Sequence, residues 1–236
     1  MTPTGRFVGR WQVSGTPGAV VAVDVLRAFT TAAYAFGAGA SRILLVDSVA
    51  DALALKAQHA GALAIGEDGG RMPDGFDLPN SPVEVAGADV VGRTLIQRTS
   101  AGTRGVVAAR SATRLWCASL VCASATARAV AASGLGEPTY LITGRFEDQP
   151  DRPGHDDLVT AELIERARLG QDLDAARTAR AVAESDEAAL TLALGHGHVH
   201  PEDIEYAVQV DRFGFAMEVR RTAGLLELRR TAGAAG

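Results

Sequence analysis

Along the first 170 residues, short runs of small and β-branched apolar residues alternate with longer stretches of helical spacing. Residues 19–25 read as a buried strand, and 27–38 as a helix closed by Gly37-Ala38-Gly39. Strand 42–46 comes next, then helix 49–59 behind an Asp47-Ser48 cap, and strand 62–66. Residues 67–82 break the rhythm with glycines, prolines and acids, the composition of a functional loop. Strand 94–98, a helix from near Gly102, strand 113–118, helix 120–132 and strand 138–143 restore it. A second polar loop, 144–156, leads into helix 156–169. Strand and helix alternating at this spacing predict an α/β fold with crossover connections and a largely parallel or mixed sheet.

The ends are less regular. Residues 6–13 read as an exposed first strand, and 172–194 as helical with a break near Ser185-Asp186. Pro201-Glu202-Asp203 reads as a helix start. Residues 207–230 alternate well enough for one or two strands, a hairpin turning near Ala223-Gly224, and the tail from Thr231 reads as loose. Without repeat or linker, one domain over 1–236 is expected, with a helical and strand extension at about 172–230.

Composition adds little to this picture. The 236 residues are 47% hydrophobic but only 5% aromatic, so Ala, Val and Leu must build the core. A net charge of −5 argues against a nucleic-acid binder, and Lys56 is the only lysine. No basic-then-apolar leader begins the chain and no apolar run reaches the roughly 20 residues of a bilayer span, so a cytoplasmic protein without membrane contact is expected. Cys117 and Cys122 lack metal or redox spacing and read as buried thiols.

Four polar clusters fall just after expected strands. Asp24 ends the first apolar run, with Arg27 three residues on; Arg27 or a metal ion would compensate its charge. The others are Glu67-Asp68-Gly69-Gly70 with Asn80-Ser81 beyond it, the Thr99-Ser100-Ala101-Gly102-Thr103-Arg104 turn, and the loop ending in Asp156-Asp157. Carboxylates are hard oxygen ligands suited to Mg²⁺, with Asp24, Glu67 and Asp157 as candidates. Thr99, Ser100, Gly102 and Thr103 offer hydroxyls and N–H groups for an anion, which Arg27 and Arg104 would clamp. Together they suggest phosphoryl transfer, with metal-activated water favoured as nucleophile because Asp24 lacks an Asp-x-Asp context. His196-Gly197-His198-Val199-His200 offers metal-binding residue types, but Gly197 and Pro201 favour a solvated loop. Ser119 lacks a nucleophile elbow.

Asp24-Val25-Leu26-Arg27-Ala28, Gly75-Phe76-Asp77-Leu78-Pro79-Asn80-Ser81-Pro82, Gly102-Thr103-Arg104 and the Ser119–Ala125 stretch resemble, in that order, the 2-phosphosulfolactate phosphatase (ComB) family. The likeness runs from about 19 to 170, and more weakly through Asp203–Asp211. It implies a three-layer α/β/α sandwich and Mg²⁺-dependent hydrolysis of a small anionic phosphoester, a step towards coenzyme M. It places Asp24, Glu67 and Asp157 near the metal, and Arg27, Asn80, Ser81, Thr103 and Arg104 near the substrate anions; Thr99, Ser100, Gly102 and Ser119 join them on the substrate side. The chain departs from the family pattern at Ala101 and Cys122, where the family has Asn, and at Asp68, where it has Arg. These departures bear on the sulfonate end of the substrate and keep a second reading open, a non-catalytic binder of an anionic metabolite. A homo-oligomer is compatible with the sequence.

Overall fold

A computed structural model describes residues 6–149 and 152–231. In chain order the elements are β1 (Arg6–Val8), α1 (Arg10–Val13), β2 (Ala19–Val23), α2 (Ala28–Gly37), β3 (Arg42–Val46), α3 (Val49–Gln58), β4 (Leu63–Gly66), β5 (Leu78–Pro79), α4 (Pro82–Ala86), β6 (Thr94–Arg98), α5 (Gly102–Ala108), β7 (Arg114–Ala118), a 3₁₀ turn (Leu120–Cys122), α6 (Ala123–Ala132), β8 (Thr139–Ile142), α7 (His155–Arg168), α8 (Ala175–Ala183), α9 (Asp186–Leu192), α10 (Asp203–Ala207), β9 (Met217–Thr222) and β10 (Leu225–Arg230). Serine side chains at 48, 81 and 185 cap α3, α4 and α9 by accepting from N–H groups three residues on.

The first strand is shorter than expected. Gly9 N–H donates to Gln12 Oε1 at 3.0 Å and Gln12 N–H to Gly9 O at 3.0 Å, which closes a helical turn and buries Val13. The loose tail expected beyond Thr231 lies outside the described residues, but Thr231 itself is fastened, its N–H donating to Ala216 O at 2.8 Å.

The strands form one ten-stranded sheet in the order β1-β8-β2-β7-β9-β10-β3-β6-β4-β5. β1, β8, β2 and β7 are parallel to one another, as are β3, β6, β4 and β5. Between these blocks lies the hairpin β9–β10, antiparallel to both. The strands of the segment expected as an extension (about 172–230) therefore lie at the centre of the sheet, while its helices lie outside it.

Val20, Ala22, Leu115, Cys117 and Leu141 from one block, and Ile43, Leu45, Ile65 and Leu95 from the other, share one core with α2. Every residue of α2 from Ala28 to Phe36 is buried, as an all-round apolar helix requires. On the opposite face Val21, Val23, Trp116 and Tyr140 pack on residues of α6 and α7, and Leu44, Val46, Ala64 and Ile96 surround Ala52 of α3. The result is a three-layer α/β/α sandwich. The two thiols are buried and unpaired.

The blocks run antiparallel to each other across the hairpin, so their carboxyl ends do not share an edge in the simple way a parallel sheet would give. The ends of β2 and β6 meet nonetheless, because both abut the start of α2. Gln97 Nε2 donates to Ala28 O at 2.8 Å, and a Cβ on Gly102 would stand 2.6 Å from Asp24 Oδ2. Only glycine allows that approach.

Candidate active site

The strand ends enclose a cleft of about 440 Å³ lined by Asp24, Arg27, Glu67, Asn80, Ser100 and Asp157 among the expected residues. The cleft also contains Asp156, which the sequence marks only as the neighbour of Asp157 in the fourth cluster, and Thr143, Glu187 and Arg152, on which no expectation rested.

Asp24 follows β2 directly. Its Oδ1 accepts from Ala28 N–H at 2.8 Å, which starts α2, and its Oδ2 lies 3.0 Å from Thr143 Oγ1. Asp157, in the first turn of α7, accepts from Val25 N–H at 2.8 Å and Gly144 N–H at 2.9 Å. It also lies 3.3 Å from Thr143 Oγ1, so two carboxylates compete for one hydroxyl proton. Each Asp157 oxygen thus accepts from a loop N–H. Its neighbour Asp156 is 3% exposed and lines the cleft.

Burial dominates the titration of these acids. It raises the Asp24 carboxyl to about 6, with nearby Glu67 adding to the rise. Burial, then the charges of Glu187 and Asp24, push Asp156 up to about 8. Asp157 is raised well above the carboxylate range by burial, then by Asp156 and Asp24.

Glu67 enters from the other block. Its Oε1 accepts from Ser100 N–H, and its Oε2 from Gly70 N–H at 2.7 Å and Ser100 Oγ at 2.9 Å. Gly66 before it is required: a Cβ there would stand 1.9 Å from Arg98 O. Asn80 is 4% exposed, and its Oδ1 has no hydrogen-bond partner among the described residues.

Arg27 does not bridge to Asp24. Its Nη1 donates to Asp203 at 2.6 Å and its Nη2 to His198 O at 2.9 Å. Asp203 is fully buried and also accepts from Ser81 Oγ at 2.6 Å and His200 N–H at 3.0 Å. One carboxylate 176 residues away in sequence thus fixes both Arg27 and the Ser81 cap. Neither a direct Asp24–Arg27 bridge nor an unattached Arg27 describes the site. The three histidines of 196–200 do not converge: the His198 ring meets Met72 N–H at 3.4 Å, and His200 Nδ1 meets Glu202 N–H at 3.2 Å.

Several expected substrate contacts point elsewhere. Thr99 and Thr103 are buried and satisfy each other, with Thr99 N–H donating to Thr103 Oγ1 at 2.8 Å and Thr103 N–H to Thr99 Oγ1 at 3.0 Å. Arg104 is exposed and pairs with Asp47 at 3.0 Å, outside the cleft. Ser81 faces Asp203, and Ser119 is fully buried outside the cleft lining. The turn at 99–104 closes on itself and on Glu67 rather than opening as a cradle. A sequence shows hydroxyls and N–H groups there but not which of them the chain itself consumes.

Among the described residues, no three His, Cys, Asp or Glu side chains stand grouped closely enough to ligate one ion unaided. Mg²⁺ asks for less, usually one or two carboxylates with waters completing the octahedron. The donor chemistry fits. Five acids line the cleft (Asp24, Glu67, Asp156, Asp157 and Glu187) against two cations, one of which Asp203 already engages.

Fold and cleft together define an α/β protein with an acid-rich pocket at the meeting of strand ends. The model of the family described as 2-phosphosulpholactate phosphatase matches residues 9–222, and the chain belongs to that family. It is 40% identical over 149 residues to the probable 2-phosphosulfolactate phosphatase of Thermus thermophilus, covering 63% of this chain and 60% of that protein. The Bacillus subtilis protein of the same name is 35% identical over 144 residues, 61% of each chain. The Deinococcus radiodurans one is 34% identical over 206 residues, 82% of this chain and 84% of its own. The matches to the first two relatives thus span about three fifths of their length. No described helix is long and apolar enough to cross a membrane.

Proposed function

We propose that the chain is a phosphoric monoester hydrolase acting with Mg²⁺ on a small acidic phosphoester, 2-phosphosulfolactate or a related phosphorylated hydroxy acid. The observation that carries this reading is the convergence of Asp24, Glu67 and Asp156 on one cleft with too few cations to balance them. In the net reaction water adds to phosphorus, the P–O(ester) bond breaks, and the ester oxygen leaves with a proton as the free hydroxyl. Bound Mg²⁺ would neutralise phosphoryl charge and acidify a water.

Of the expected metal set, Asp24 would hold the ion. Asp156, in the same cleft lining, would join it. Asp157 then positions the β2 and β8 loops. Glu67, held on both oxygens by Ser100 and Gly70, is a fixed carboxylate suited to take a proton from the attacking water. Arg27, oriented by Asp203, would face the substrate's carboxylate. The amide of Asn80, with its unpartnered oxygen, would bond a substrate or metal-bound hydroxyl.

The test is phosphate release from 2-phosphosulfolactate and a panel of phosphorylated hydroxy acids, with Mg²⁺ and with chelator. Absence of metal-dependent turnover on all of them overturns the reading. The alternative of a non-catalytic binder is favoured by Ala101, which lines the cleft where the resemblance expects an amide. It would show as thermal stabilisation by these compounds without turnover.

A further inference from the structure

The loop between β8 and α7 is pinned at its neck beside the acids of the cleft. Gly144 N–H donates to Asp157 Oδ2 at 2.9 Å, and Arg145 Nε donates to Pro153 O at 3.2 Å across the neck. Gly154, at φ +66°, closes it: a Cβ there would stand 2.9 Å from the Gly144 carbonyl carbon. Two residues before that glycine, Arg152 is exposed and lines the cleft. Its backbone N–H donates to Gln149 O and its Nη1 to Gln149 Oε1, both at 3.0 Å. The partner in both bonds is neutral.

Among the described residues the lining holds two cations, Arg27 and Arg152, and they differ in what they have left to offer. Arg27 is buried, its charge is met by Asp203 at 2.6 Å, and it gives a further N–H to His198 O. Arg152 pairs with none of the five acids of the cleft and with no other carboxylate among the described residues. Its charge and most of its N–H groups are therefore free for a ligand. A sulfolactate phosphoester brings a phosphate, a carboxylate and a sulfonate. In the reading above the phosphate belongs with the metal and the carboxylate with Arg27, so the sulfonate needs a further cation. A guanidinium forks onto two oxygens of such a group.

We infer that Arg152 is the residue by which the cleft recognises the sulfonate of 2-phosphosulfolactate. It thereby sets the preference over phosphorylated 2-hydroxy acids that carry no acidic group on the next carbon. This rests on the hydrolase reading above and names a specificity-determining residue of the same site.

The full chain with Mg²⁺ is assayed on 2-phosphosulfolactate and on the phosphate ester of lactate, which lacks the sulfonate. Phosphosulfolactate is expected to show a kcat/KM higher by about tenfold or more, because a site built to bond a polar group rejects the analogue lacking it. Arg152→Gln should cut that ratio by about tenfold or more, chiefly through KM on phosphosulfolactate. Arg152→Lys keeps the charge but not the fork and should cut it less. A variant that merely disturbs the fold slows both esters alike and leaves the ratio where it was. An unchanged ratio in Arg152→Gln, a smaller loss in Arg152→Gln than in Arg152→Lys, or equal turnover of the two esters by the unaltered chain overturns the inference. The corresponding phosphonates, with carbon in place of the ester oxygen, are titrated in parallel by calorimetry. If neither ester is hydrolysed, the hydrolase reading fails, while the phosphonates still decide the role of Arg152. A preference for the sulfonated one that Arg152→Gln abolishes supports it, and no preference, or one that survives Arg152→Gln, overturns it.

Discussion

Asp24 is held in a position that costs stability and serves the cleft. Its carboxyl is raised to about 6 by burial, so its charged form is disfavoured in the fold. Asp24→Asn keeps the shape and the acceptor for Ala28 N–H but removes the charge. It should lower kcat by roughly 10²-fold or more, while metal-free stability at pH 8, read by urea unfolding, rises by about 1–3 kcal/mol. A stable but fully active Asn variant would remove Asp24 from the chemistry. Asp203→Ala should act in the opposite sense. It strands the buried Arg27 guanidinium, and breaking such a pair typically costs about 3–5 kcal/mol, visible as a lower urea midpoint. Asp24 was legible because a lone charge closing an apolar run is conspicuous. Asp203 was not, because its partner lies 176 residues away and locally it reads only as a helix start. Asp156 and Asp157 both line the cleft from the first turn of α7, and Asp157 in addition accepts from the Val25 and Gly144 N–H groups, contacts that no local pattern announces.

At the scale of elements, local chemistry fixed ends well and pairings poorly. Ser48 and Ser185 mark helix starts through their own side chains, and Ala223-Gly224 turns the hairpin with both residues at positive φ. These signals act over a few residues. Nothing comparable announces that β9 and β10 separate two parallel blocks, because insertion of a hairpin into a sheet depends on partners far apart in sequence, such as Trp116 with Glu218 and Leu44 with Glu227. The same limit hid the role of α2. Its apolar character was plain, but that both blocks pack around it emerges only from the shared core. Phe36→Ala in α2 should therefore cost about 3–5 kcal/mol. Arg180→Ala on the exposed side of α8 should stay within about 0.5 kcal/mol. Chemical denaturation of the two variants side by side checks the contrast, and near-equal losses would mean that α2 is not the centre of packing.

For the whole molecule, the clustered acids make stability depend on pH and on divalent cations together. Asp24 at about 6 and Asp156 at about 8 titrate above the ordinary carboxylate range, and Asp157 is raised further by both. Between about pH 4 and 8 the native state therefore binds more protons than the unfolded chain, whose Asp groups ionise near 3.9. Stability must then fall as pH rises through this window, the reverse of a salt-bridged carboxylate. A cation in the cleft supplies the missing positive charge and permits ionisation without that penalty. Melting curves in chelator should show Tm decreasing from pH 5 to pH 8, and millimolar Mg²⁺ should raise Tm at pH 8 far more than at pH 5, where protons already occupy much of the cluster. In Asp24→Asn both the pH slope and the Mg²⁺ response should shrink together, because Asp24 contributes to both. A Tm that rises with pH in chelator, or a Mg²⁺ effect equal at both pH values, would show that the acids are balanced within the protein and that the cleft does not depend on a cation.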